Sequence, residues 1–62
     1  MKNNIAYYRD YYGISQRQLA REVKISSAEI TLIEANKRIP NVHIALRIAK
    51  FLKVSVESLF IE

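Results

Sequence analysis

A chain of 62 residues holds one domain at most, and a domain this small buries only about 60% of the surface its unfolded chain exposes. It is 50% hydrophobic and 26% charged, has no cysteine and has no apolar run of the ~18 residues that span a bilayer; this excludes a disulfide scaffold, a thiolate zinc site and a transmembrane segment. The net charge of +4 and the pI of about 9.7 favour a polyanionic partner, nucleic acid before a membrane surface, and an N-terminus reading MKNNIAYYRD lacks the apolar segment of a secretion signal, so a cytoplasmic location is expected.

Glycine and proline occur once each, as Gly13 and Pro40, and no stretch alternates polar and apolar residues as a strand would. Helical periodicity appears instead, five times. The first helix is expected over residues 4–12, capped by Asn3 or Asn4 and followed by Gly13. Ile5, Tyr8, Arg9 and Tyr12 share one of its faces, and Tyr7 and Tyr11 another. Ser15 opens the second helix, with Gln18 three residues on as a capping box and Leu19, Ala20 and Val23 inward. Ser26 opens the third, with Glu29 in the same reciprocal role and Ile30, Ile33 and Glu34 inward. Pro40-Asn41 leads into a fourth helix ending near Leu52, with Ala45, Leu46, Ile48, Ala49 and Leu52 facing the core. Ser55 caps a short fifth helix carrying Leu59, and Glu57 in its first turn suits the helix dipole. The expected fold is all-α: a compact bundle of five short helices forming a single domain over residues 1–62.

The second and third helices leave only Lys24-Ile25 between them, the short corner of a helix-turn-helix over about residues 16–35. Ala20 is small where two helices must approach. Leu19, Val23, Ile25, Ile30 and Ile33 are apolar where the pair packs. Arg9 and Glu34 fall on apolar faces, where a lone charge is costly, so their opposite signs suggest an ion pair.

Over residues 4–60 the chain resembles the Cro/C1 (Xre-type) repressor DNA-binding domain, in the stretches ISQRQLA, ISSAEITLIE, NKRIP and IALRIAKFLKVSVESLF. The resemblance implies a lambda-repressor-like bundle, the same Arg9–Glu34 pair joining first and third helices, and insertion of helix 27–35 into the major groove of double-stranded operator DNA. It places Ser27, Ala28, Thr31 and Leu32 toward base edges and Gln16, Arg17, Lys37 and Arg38 at phosphates, with Arg21 a further candidate. It implies no cofactor and no metal. It also implies a two-fold homodimer with half-sites about 34–36 Å apart, for which Val56, Phe60 and Ile61 are the apolar interface candidates.

The chain departs from the family where glycine usually ends a helix: those positions hold Lys24, Asn36 and Lys53, and positive φ is expected at all three. The base-facing set holds no Arg, Asn or Gln for bidentate contacts, so an A·T-leaning site supported by phosphate contacts and DNA shape is expected. Glu29 lies near the DNA with the wrong sign for phosphate. Tyr7 and Tyr11 form a patch with no assigned role. His43 has no second histidine or cysteine with which to hold zinc, and no nucleophile stands beside a base, so an enzyme is not expected. The competing reading is a protein-interaction module, a degenerate helix-turn-helix that pairs with another regulator through Leu32 and the tyrosine patch. Acidic residues interrupting the basic side of the helix-turn-helix would favour it.

Overall fold

A computed structural model describes residues 3–60 of the chain. Its helices are α1 (Ile5–Tyr11), α2 (Gln16–Val23), α3 (Ser27–Glu34), α4 (Val42–Leu52) and α5 (Val56–Leu59), with no strand among the described residues. α1 is one residue shorter at each end than expected. Asn3 and Asn4 divide the work at its start: Asn3 Oδ1 accepts from the Ile5 N–H at 3.2 Å, while the Asn4 side chain donates to the Ser58 carbonyl at 2.9 Å, tying α1 to α5.

Four helix starts are capped by side chains. Ser15, Ser26 and Ser55 Oγ accept from the N–H of Gln18, Glu29 and Ser58 at 3.0, 3.1 and 3.0 Å, and Asn41 Oδ1 accepts from Ile44 at 2.9 Å. Both expected capping boxes are half made. No bond returns from the Gln18 side chain, and the Glu29 carboxylate turns to Arg38, 3.1 Å away. A full positive charge attracts that carboxylate more strongly than a neutral N–H.

The helix ends repeat one device. Gly13, Lys24, Asn36 and Lys53 adopt φ of 69°, 64°, 62° and 61°, and after each the next N–H reaches back five residues: Ile14 to Arg9, Ile25 to Ala20, Lys37 to Leu32 and Val54 to Ala49, at 2.9–3.0 Å. These are Schellman closures, which satisfy carbonyls the helix leaves open. At three of the four the chain accepts a left-handed non-glycine residue to obtain them. The α2–α3 corner is therefore sharp without Gly or Pro: Lys24 reverses the backbone, Ile25 packs against the core and Ser26 starts α3 at once.

Ile5, Leu19, Ala20, Val23, Ile30, Ile33, Ile48, Ala49, Leu52 and Leu59 form the buried core. Two inward assignments are corrected. Leu46 is 53% exposed; α4 instead turns Ile44, Ile48 and Leu52 inward at four-residue spacing, and a residue two places from Ile44 falls about 200° round the helix. Tyr12 is 45% exposed, because it lies past the last turn of α1, where the backbone is already leaving for Gly13.

Candidate nucleic-acid interface

The α2–α3 unit begins with a network anchored on a largely buried ion pair. Arg9 Nε donates to Glu34 Oε2 at 2.9 Å and its Nη2 to Oε1 at 3.3 Å, with side chains only 14% and 9% exposed. The remaining Arg9 donors reach the Ile14 carbonyl at 2.8 Å and Asp10 at 3.3 Å. The hydrogen bond to Glu34 raises the Arg9 pKa above its ordinary value, with burial opposing it. A group whose folded pKa is raised keeps its full stabilisation below the unfolded value, so Arg9 holds the pair together throughout the neutral range.

Gln16, the first residue of α2, joins this pair. Its Nε2 donates to Glu34 Oε1 at 3.0 Å, and its Oε1 accepts from Thr31 Oγ1 at 3.0 Å. In the free protein, then, the side chain expected at a phosphate is committed to α3, because Glu34 Oε1 lies within its reach as an acceptor. The backbone N–H groups of Gln16 and Arg17 have no acceptor among the described residues, which leaves donors at the start of α2 for an anion.

Along α3, Ser27, Ala28 and Thr31 are exposed and Leu32 is half-buried. The expectation of an exposed Leu32 free for a partner is thereby corrected: part of its surface is already covered within the chain. Arg17, Arg21, Lys24 and Lys37 are exposed. Arg38 is engaged with Glu29. That pairing also accounts for the misplaced negative charge, since Glu29 enters the interface region already partnered.

A second surface has a different character. Ile39 is 75% and Val42 69% exposed, and with Pro40, Ala45, Val56 and Phe60 they line a shallow groove. Val56 and Phe60 are half-buried and pack against the core; Ile61 lies outside the described residues. Ile39 and Val42 were not among the sequence candidates. The available signal was an apolar residue on each side of the Pro40-Asn41 cap, Ile39 in the loop and Val42 at the first position of α4. Tyr7 and Tyr11 are exposed and pack edge-to-face on their chain neighbours Tyr8 and Tyr12, with ring centroids 5.1 Å apart. Among the described residues no group of His, Cys, Asp or Glu is placed to hold a metal ion, and no helix is long and apolar enough to cross a membrane.

Known proteins agree with this geometry. The Helix-turn-helix family model matches residues 5–59. An uncharacterized HTH-type transcriptional regulator of Methanocaldococcus jannaschii is 39% identical over 61 residues, spanning 98% of this chain and 92% of its own. A second, from Archaeoglobus fulgidus, is 33% identical over 98% of this chain and 87% of its own. Among solved structures, the N-terminal DNA binding domain of SinR from Bacillus subtilis superposes with a TM-score of 0.83 at 29% identity, over 94% of this chain and 86% of that one. The SinR protein/SinI protein complex contains a chain matching with a TM-score of 0.85 at 29% identity, of which this chain spans 57%. The chain belongs to the helix-turn-helix family in its Cro/C1 (Xre) type, a class of DNA-binding transcription regulators with a lambda-repressor-like fold.

Proposed function

We propose that residues 1–62 act as one helix-turn-helix unit, a cytoplasmic repressor that binds an operator in double-stranded DNA as a homodimer, with helix 27–35 in the major groove. The observation that carries this reading is the state of the two α3 carboxylates. Glu29 is paired with Arg38 and Glu34 with Arg9, so neither opposes phosphate unpartnered, while Ser27, Ala28 and Thr31 stay exposed beside them. Glu22 on α2 is a further acidic residue of the unit and lies about 100° round the helix from Arg21.

In this arrangement phosphate contacts set the register and base contacts read sequence. The open N–H groups at the start of α2 and the Gln16 amide take one phosphate; Arg17, Lys37 and Arg38 take others. Ala28 meets a thymine methyl group, and Ser27, Thr31 and Leu32 complete the reading edge. The groove between Ile39 and Phe60 covers its counterpart in a second copy, with Val56, Phe60 and Ile61 at the contact, and the dimer represses by occluding a promoter. No cofactor takes part.

Fluorescence anisotropy tests the reading. The protein is titrated into duplex carrying its own upstream region, and into scrambled duplex, at several salt concentrations. Tight binding to the first alone, falling steeply with salt, is expected. Equal and weak binding to both would overturn it.

A second reading, a module that pairs with another regulator, draws support from the exposed Ile39, Val42 and Leu46 and from the match to a chain solved in a SinR/SinI complex. Sedimentation of the purified protein separates the two: a homodimer at micromolar concentration favours self-association, and a monomer favours a different partner.

A further inference from the structure

The network behind α3 has a direction as well as a geometry. Glu34, held by the Arg9 guanidinium at 2.9 Å, faces its neighbours as an acceptor. Of the two ends of the Gln16 amide, only the NH2 can therefore approach it, as it does at 3.0 Å. The amide oxygen is then obliged to face Thr31, 3.0 Å away, and since that oxygen only accepts, the Thr31 hydroxyl must donate. The hydroxyl has one other neighbour of this kind, the Ser27 carbonyl at 3.0 Å in the preceding turn, and it too only accepts. The single hydroxyl proton is thus held on the protein side, and what the exposed Thr31 oxygen offers outward is a lone pair.

We propose that the chain Arg9–Glu34–Gln16–Thr31 is a polarity relay that presents Thr31 to DNA as an acceptor only. The base it meets is then read as one carrying an exocyclic amino donor in the major groove, adenine N6 or cytosine N4, and not as thymine O4 or guanine O6. The inference rests on the reading that α3 occupies the major groove. Gln16 is a positioning residue in it. Threonine in a helix divides between two rotamers, and the Gln16 oxygen selects the one that also bonds Ser27.

The test is selection of bound sequences from a randomised duplex library with the wild-type protein and the Thr31→Val, Thr31→Ser and Gln16→Leu variants, each first checked by thermal melting. Wild type should enrich adenine or cytosine over thymine and guanine at one position of each half-site. Thr31→Val, which keeps the shape and removes the hydroxyl, should reduce that preference roughly 3- to 10-fold, the range of one neutral hydrogen bond. Thr31→Ser should retain it. Gln16→Leu should weaken binding to all sequences alike, through the lost phosphate contact, and should shrink the preference at this position alone. A preference for thymine or guanine there, or no effect of Thr31→Val, overturns the inference while leaving groove binding intact. An effect of Thr31→Val with none of Gln16→Leu overturns the relay, because the Ser27 bond would then suffice. A library that yields no enriched sequence with wild type overturns the proposed function and this inference together.

Discussion

The α2–α3 corner and the segment from Ile39 to Leu46 lie close in the chain and differ in how completely they satisfy themselves. At the corner each polar side chain behind α3 has a partner: Arg9 and Gln16 both hold Glu34, Thr31 holds Gln16, and Arg38 holds Glu29. From Ile39 to Leu46, three large apolar side chains stand more than half exposed, two of them, Ile39 and Val42, lining a groove that no part of the described chain fills. A satisfied polar surface is rigid and can present fixed donors and acceptors to a ligand that remains hydrated. An uncovered apolar one gains only when another apolar surface covers it. The two therefore suit different partners, a nucleic acid for the first and a protein for the second.

The largest effect should come from breaking the corner. Glu34→Ala leaves Arg9 partly buried with only the Ile14 carbonyl and Asp10 as partners, and should cost about 3 kcal/mol, the lower end for a buried pair stripped of one member. In a domain this small that lowers the melting temperature by more than about 10 °C; unchanged melting would show that the pair contributes nothing. Next comes Val42→Glu, which places a charge in the groove at an exposed site. Melting should be almost unaffected, since no core contact is lost, while the protein sediments as a monomer and operator affinity falls roughly 100-fold with the loss of two-site avidity. A variant that stays dimeric would remove the groove from the interface.

A finer comparison lies between adjacent cations. Lys37 has no ion pair among the described residues, whereas Arg38 is paired with Glu29 and, on the proposed reading, would share its charge with a phosphate. Lys37→Ala should lower affinity for all duplexes alike and reduce the slope of log K against log salt by about 0.9. Arg38→Ala should change the slope less, because it also releases the Glu29 carboxylate toward the DNA. Equal slopes would mean that the Glu29 pair opens on binding at no cost. The smallest effect tests the helix ends. Lys53→Gly removes left-handed strain at φ 61° at an exposed helix end that does not line the groove, and should stabilise the fold by about 0.5–1 kcal/mol, seen as a rise of a few degrees in melting.

Much of the fold was legible in the chain. Ser15, Ser26, Asn41 and Ser55 mark helix starts because a cap bonds an N–H three residues away, and Lys24, Asn36 and Lys53 were expected to be left-handed because they stand where the resembled family has glycine; each makes a Schellman closure that reaches back five. Those are local events, written in consecutive residues. Leu46 misled because apolar character alone does not set the phase of a helix, and the bundle took Ile44 in preference; Tyr12 misled because α1 ends one residue before it.

By itself, then, the sequence determined five helices, a helix-turn-helix with a two-residue corner and the family to which it belongs. Tertiary structure decided which acceptor each polar side chain won. Gln16 stands 18 residues from Glu34 and 15 from Thr31, and nothing local marks it as their partner; the Arg9–Glu34 pair, 25 residues apart, was by contrast expected from two opposite charges on apolar faces. Glu29 likewise abandoned its cap for Arg38. Such choices are competitions among groups that the folded chain brings together, α2 against α3 for Gln16 and the loop after α3 against α3 for Glu29, and the outcome depends on distances of a few tenths of an ångström that no local pattern encodes. The exposed Ile39 and Val42 belong to the same class: only the packed bundle reveals which apolar residues it leaves uncovered.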